Sequence, residues 1–246
     1  MAADAPPGST ARAIVRALIR ALPLLFSARL LALILLPLLA SWLAWFVVAL
    51  FAWTPVSHAI AQVLGGAAPG VFSSTSAQVV TMLLWLALVL ITSLLIVGVF
   101  AMPAILKVVV ARHFPELEHL RGGTLAGSVG NALFAVVRFV LIWMLSLLLL
   151  PLAPLYLLVS LANTAALNAR LFRYDALAEH ASPAELRGVI ARARGRWFLL
   201  GLALSPLSWI PLINFIAPLY SGIAFACLAL DELARLRRAT MSTGNT

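Results

Sequence analysis

Residues 139–169 read FVLIWMLSLLLLPLAPLYLLVSLANTAALNA, and residues 197–230 read WFLLGLALSPLSWIPLINFIAPLYSGIAFACLAL. Neither stretch contains Asp, Glu, Lys or Arg. Each is interrupted by proline, at Pro151 and Pro154 in the first and at Pro206, Pro211 and Pro218 in the second. As continuous helix they would measure about 46 and about 51 Å. Two full crossings of a hydrocarbon core about 30 Å thick need roughly 60 Å. A single crossing would carry Arg170, Arg173, Arg187, Arg192, Arg194 and Arg196 to the outer side, against the tendency of Arg and Lys to stay cytoplasmic. Two re-entrant helical hairpins satisfy both constraints. Each enters from the cytoplasm, turns at a proline-rich tip inside the membrane and returns.

Both tips are followed by the same word, Ala153-Pro-Leu-Tyr156 and Ala217-Pro-Leu-Tyr220. Proline suits the first turn of a helix, so the return legs are predicted to start there. Between the hairpins, Ser182-Pro-Ala-Glu185 has the spacing of a capping box with proline at the first helical position. It opens a cytoplasmic helix that continues into the second hairpin.

Upstream, residues 30–102 also lack formal charge. Leu30 to Ala52 reads as the first spanning helix, with Trp42, Trp45 and Trp53 as an aromatic belt toward its far end. Thr54 to Thr75, rich in Gly, Ser and Pro, reads as a loop, and Thr75-Ser-Ala-Gln78 as a capping box opening the second helix. That helix, Ser76 to His113, is about 55 Å long, so its end with Lys107 and Arg112 projects beyond the bilayer. Pro103 is a predicted kink. Before these spans, Arg12, Arg16 and Arg20 recur every fourth residue opposite Ile14, Val15, Leu18, Ile19 and Leu22. That is a basic amphipathic helix, lying in the headgroup layer or packed on the rest of the protein. Its arginines, and the absence of a small-residue cleavage site, argue against a cleaved signal.

The fold class is thus an all-α membrane protein: two long transmembrane helices, two re-entrant hairpins and an N-terminal amphipathic helix. Residues 1–9 and 239–246 are expected to be disordered, leaving 10–238 as a single membrane domain. The expected location is a bacterial inner membrane with both termini cytoplasmic.

Composition excludes most other classes. Of 246 residues, 63% are hydrophobic and 10% charged, against roughly 25% charged in soluble domains. The net charge of +9 reads as topology, and no aromatic-basic motif points to nucleic acid. His58, His113, His119 and His180 show no ligand spacing such as H-E-x-x-H, and Cys227, in an apolar run, reads as a buried structural thiol. Gly122, Gly123, Gly127 and Gly130 follow no strand and precede no Lys-Ser/Thr pair, so they read as loop and small-residue packing. No catalytic residue, metal or cofactor is predicted. Coupled transporters keep ionisable groups within the membrane, and the apolar blocks hold none beyond His58, so any transport is expected to be passive.

The expected solute is an anion. Each return leg would aim a helix N-terminus, with its free N–H groups and positive dipole end, at the bilayer interior. Asn214 adds an amide at one tip, either for an anion or to cap its own helix end. Arg29, just before the first span, is either an entrance site or a positive-inside anchor. Asn168, Arg170, Arg173 and Asp175 form a charged cluster at the hairpin exit, structural or gating, with an Arg–Asp pair expected at helical spacing. Asn163, Thr164 and Asn168 read as interhelical glue.

The run Asn168-Ala-Arg-Leu-Phe-Arg-Tyr-Asp-Ala-Leu-Ala-Glu-His180, followed by Ile210-Pro-Leu-Ile-Asn-Phe-Ile-Ala-Pro218, resembles the bacterial branch of the etoposide-induced membrane protein superfamily, to which CysZ-type sulfate permeases belong. The resemblance covers about residues 10–238. It implies a sulfate or related-anion channel with two long spanning helices, two partly penetrating hairpins and an oligomeric assembly. The family's Gly-Leu-Arg-Arg loop is replaced by Ser27-Ala-Arg-Leu-Leu-Ala32, leaving Arg29 as its only counterpart. Its Leu-Ala-Glu stretch has no equivalent near Lys107–Arg112. The expected function is a passive channel or permease for a small inorganic anion, with sulfate as the candidate. Expected partners are membrane lipid, the anion and further copies of the chain, but not nucleic acid. The alternative is a non-transporting membrane scaffold or envelope-assembly protein.

Overall fold

The computed structural model describes residues 7–67, 74–120, 122–210, 213 and 216–243, and every regular element among them is helical. The α-helices are α1 (Pro7–Leu25), α2 (Ala28–Ala67), α3 (Ser74–His113), α4 (Leu125–Ser146), α5 (Ala153–Ala178), α6 (Pro183–Arg192), α7 (Arg194–Leu204) and α8 (Ala217–Thr243). Short 3-10 turns, Leu147–Leu149 and Ser205–Trp209, finish α4 and α7. The chain divides into two compact units, residues 28–101 and the remainder.

The smaller unit is an antiparallel pair made by α2 and the first part of α3. Trp45 Nε1 donates to Thr92 Oγ1 at 3.1 Å, and Trp85 Nε1 donates to the Trp45 carbonyl at 3.0 Å. The Trp85 ring meets Trp45 and Trp53 edge-on, at 6.1 and 6.0 Å between centroids. Trp45 and Trp53 thus clasp two helices together, and α2 is longer than expected. It runs 40 residues, through Pro37 and Pro55. The loop expected from Thr54 is helix as far as Ala67. A proline costs one backbone hydrogen bond and crowds one carbonyl; here Ser57 Oγ donates to the Thr54 carbonyl at 3.0 Å beside it. Such serine and threonine back-bonding recurs in α3, from Thr81 to Ala77 and from Ser93 to Val89. Helix α3 begins at Ser74, so Thr75 lies in its first turn and is not its cap. Pro103 lies inside α3, toward the end that carries Lys107 and Arg112.

The larger unit is built around α8. Ile223 to Leu230 are each no more than 1% exposed, as expected for a helix that is apolar all round. Helix α1 covers one side with Ala13, Ala17 and Ala21, one small residue per turn, and Tyr220 Oη donates to the Leu18 carbonyl at 3.1 Å. Phe225 stacks on Phe172 of α5 at 5.6 Å and on Trp197 of α7 at 6.5 Å. Of the two readings of α1, the structure shows packing on the rest of the protein. Its alanine face is packed on protein, while Val15, Ile19 and Leu22 stay exposed along another edge.

Among the described residues, five helices are long and apolar enough to cross a membrane: α2, the first part of α3, α4, α5 and α8. Burial separates them. The most apolar window of α8 is 83% buried by protein, against 11% for α4. Helix α7, with 11 residues, is about 16 Å long and too short to cross.

The predicted proline-led starts are present. Both α5 and α8 begin at the alanine of their Ala-Pro-Leu-Tyr words. At the α6 start, Ser182 N donates to Glu185 Oε2 at 2.7 Å and Glu185 N donates to Ser182 Oγ at 3.2 Å, completing the capping box. The terminal expectations shift: residues 7–9 are helical in α1, and α8 continues to Thr243. Residues 1–6 and 244–246 lie outside the described residues. Cys227 is buried in α8, as expected of a structural thiol.

Two outcomes follow from this packing. A Cβ at Gly201 would meet the Ala165 backbone, which cannot rotate away, whereas Gly188 faces open space. Gly201→Val is expected to lower stability in detergent by about 1–3 kcal/mol, with Gly188→Ala no less stable than wild type, both read by thermal unfolding. Glu185 is held below its ordinary carboxylate value, chiefly by the hydrogen bond from Arg237 and by the Ser182 amide. Its contribution is present above the unfolded-state value and lost as pH falls through the lowered folded value. Melting temperature should therefore fall between about pH 5 and about pH 3. It should fall less steeply in Arg237→Gln, by about 2–4 °C for a pair worth ~1 kcal/mol after solvent screening. Parallel pH profiles for the two proteins would contradict it.

Candidate functional site

Helices α4 and α5 form the first hairpin, and polar side chains fix their register. Thr124 caps α4 by accepting from Gly127 N at 3.0 Å. A Cβ at Gly127 would strike the Tyr174 hydroxyl, so this glycine permits the close approach of the two helices. Asn163 Nδ2 donates across to the Phe139 carbonyl at 3.0 Å, as interhelical glue should. Thr164 instead bonds the Ser160 carbonyl of its own helix.

Lower on the hairpin, Asn131 and Arg170 bind each other reciprocally. Asn131 Nδ2 donates to the Arg170 carbonyl at 2.9 Å, and Arg170 Nε donates to Asn131 Oδ1 at 3.2 Å. The guanidinium lies over the Phe134 ring, 4.1 Å from its centroid, a cation–π seat. Arg170 is thus held by one edge and one face. Arg138 from α4 and Arg194 from α7 join it in acting on half-buried Arg173. Guanidinium groups from three helices converge here.

The expected Arg–Asp pair is absent among the described residues. Asp175 takes a hydrogen bond from Ser128, and its Oδ1 is buried without a partner. The reason is spacing: residues two apart on a helix do not face each other, so Arg173 points away from Asp175, and Arg170 is five positions off. Asn168 is half-buried on α5 and makes no hydrogen bond to these arginines. Arg29 lies exposed in the first turn of α2, within the smaller unit. Asn214 lies outside the described residues.

The acidic side chains are engaged elsewhere. Asp231 on α8 draws Arg16 and Arg20 of α1, each at 3.9 Å, and Arg235 at 2.9 Å. Glu232 pairs with Arg196 of α7 and with Arg235. Glu185 holds Arg237 at 2.8 Å. This network fastens α1, α6 and α7 to the charged end of α8.

One cluster escaped sequence reading. His119, Glu179 and His180 lie together, with the imidazole rings 4.2 Å apart between centroids. His180 is 1% exposed, and neither ring nitrogen has a hydrogen-bond partner. Burial, with lesser effects from His119 and Arg237, lowers its pKa to about 4. His113 is also lowered, by burial and by Arg20 and Arg112. The pair is far apart in the chain, and only the adjacent Glu179-His180 was a local signal. Gly122 and Gly123 do serve packing, as read: their amides donate to the Ala181 and Ala178 carbonyls, each at 2.9 Å.

No curated protein matches this chain, and no solved structure does. The family described as "Sulfate transporter CysZ/Etoposide-induced protein 2.4" matches residues 17–218, which contain α2 to α7, the capping box and the arginine cluster. With its apolar spans and this match, the chain is an integral membrane protein belonging to the sulfate transporter CysZ/etoposide-induced protein 2.4 family.

Proposed function

We propose that the protein is a passive permease for a small inorganic oxyanion of the sulfate class, with Arg138, Arg170, Arg173 and Arg194 as its anion-attracting side. The observation that carries this reading is the imbalance at the first hairpin. Guanidinium groups converge there, and the nearby carboxylate, Asp175, forms an ion pair with none of them. Arginine's planar fork suits oxyanions. Clustered guanidinium groups raise the local anion concentration without a tight single site, which conduction requires.

The depth of the hairpin supports a partly penetrating arrangement. From Arg138 to the turn at Leu150 is about 18 Å of helix, and from Ala153 to Arg170 about 25 Å. Both are less than a core about 30 Å thick. Held at the cytoplasmic level, these arginines need not enter hydrocarbon, and the short α7 needs no crossing either. The start of α5 then presents a helix N-terminus within the bilayer. Backbone at such a tip requires cover by protein or water, which favours a homo-oligomer in lipid. Arg29 would add charge at the mouth or act as an anchor, and Asn214 would supply an amide at the second tip. The membrane meant here is a bacterial inner membrane, with both termini cytoplasmic.

Uptake of sulfate into proteoliposomes tests the proposal. Wild type should exceed empty vesicles. Arg170→Gln and Arg138→Gln should each cut the rate about three- to tenfold at low ionic strength and less at high. Absence of wild-type flux would overturn the permease and favour the scaffold. The depth of the hairpin has its own readout. In a Cys227→Ser background, a cysteine replacing exposed Leu148 at the tip should resist an impermeant thiol reagent applied outside intact cells. A cysteine at Leu148 that labels from outside would establish a full crossing.

A further inference from the structure

We infer that His119, Glu179 and His180 form a binding site for a divalent transition metal of the zinc class, tying the α3–α4 connection to the α5–α6 turn. The donor set, two imidazoles and one carboxylate, is that of three-ligand zinc sites that keep a fourth position for water or another ligand. One donor atom from each residue lies within 4.8 Å of the others. Ligands around tetrahedral zinc stand about 3.4 Å apart, given bonds of about 2.0–2.1 Å. Side-chain rotation of exposed His119 and half-exposed Glu179 spans that difference, while buried His180 stays fixed.

A second observation points to a ligand. Among the described residues, His180 is almost fully buried with both ring nitrogens unpartnered. A buried polar group left unsatisfied is costly and uncommon in a packed interior. Coordination would satisfy one nitrogen.

The backbone around the site is already positioned. Gly122 N and Gly123 N donate to the Ala181 and Ala178 carbonyls, each at 2.9 Å, so the segment carrying His119 lies against the turn carrying Glu179 and His180. A Cβ at either glycine would strike that turn. Among the described residues, Arg237 is the nearby cation, donating to the His180 carbonyl at 2.7 Å. Its charge is offset by Glu185, at 2.8 Å, and by Glu118. The site is therefore not dominated by positive charge. Its two halves come from segments separated by all of α4 and α5, so a bound ion would close the base of the first hairpin.

The experiment uses full-length protein purified in detergent on a tag without histidines, stripped with chelator, and titrated with ZnCl₂ and CoCl₂. Wild type should bind one equivalent per chain, give the visible bands of tetrahedral Co²⁺, and melt at a temperature that rises with Zn²⁺ concentration. Loss of an outer-shell partner alone costs 10–100-fold in metal affinity, so His119→Ala and Glu179→Gln should each weaken binding at least about tenfold. Both residues reach solvent, so the variants should fold, checked by their unchanged melting without metal. His58→Ala, remote in sequence on exposed α2, should bind as wild type does. Absence of stoichiometric binding, or equal affinity in wild type and His119→Ala, would overturn the site. Neither result bears on sulfate uptake, so this proposal and the permease reading fail separately.

Discussion

Complete enclosure of the apolar run of α8 is the constraint on which the larger unit depends. From Ile223 to Leu230 no side chain reaches the surface, so every neighbour must offer a face that fits an apolar rod on all sides. Helix α1 does so with alanines one turn apart, α5 with Phe172 and α7 with Trp197. Where the apolar run ends, Asp231 and Glu232 begin, and they collect arginines from α1 and α7. The same helix thus sets a hydrophobic axis and, one turn later, a set of ionic ties. Buried or half-buried pairs of this kind are poor sources of net stability, but leaving one partner alone is expensive. Their effect is to fix which helices may stand around α8.

The proline-led starts serve this arrangement. Pro154 and Pro218 sit in first turns, where the missing N–H would have had no helical partner anyway. Elsewhere Pro23, Pro37, Pro55 and Pro103 lie inside helices. In a medium without water, an interrupted helix is still preferable to open loop, because almost every remaining amide stays bonded.

Local chemistry was legible in the sequence, and partnership was not. The starts at Ala153 and Ala217 and the reciprocal cap at Ser182 were readable because each depends on residues within one turn. The apolar runs of α4 and α8 look alike as sequence, yet one is mostly exposed and the other enclosed. Hydrophobicity does not distinguish lipid from protein interior. From Thr54 to Ala67 the proline and polar residues misled, because they signal loops locally while the helix continues through Pro55 with most of its amides still bonded. The Asp175 pairing failed on helical phase, and the His119–His180 approach depended on a fold spanning two whole helices.

Charge placement follows from these same constraints and carries the functional reading. The net charge of +9 is spread along the chain, but carboxylates are not. Asp231, Glu232 and Glu185 are drawn to the base of α8 and to the α6 cap, where they pair with Arg16, Arg20, Arg196, Arg235 and Arg237. Holding the fold together consumes the acids there. Among the described residues, the arginines on the side of the first hairpin are some of those left without an ion pair, and there Asn131 and the Phe134 ring steady Arg170 without cancelling its charge. An amide and an aromatic face suit a binding surface better than a carboxylate would, since they orient a guanidinium while leaving its field available to an anion.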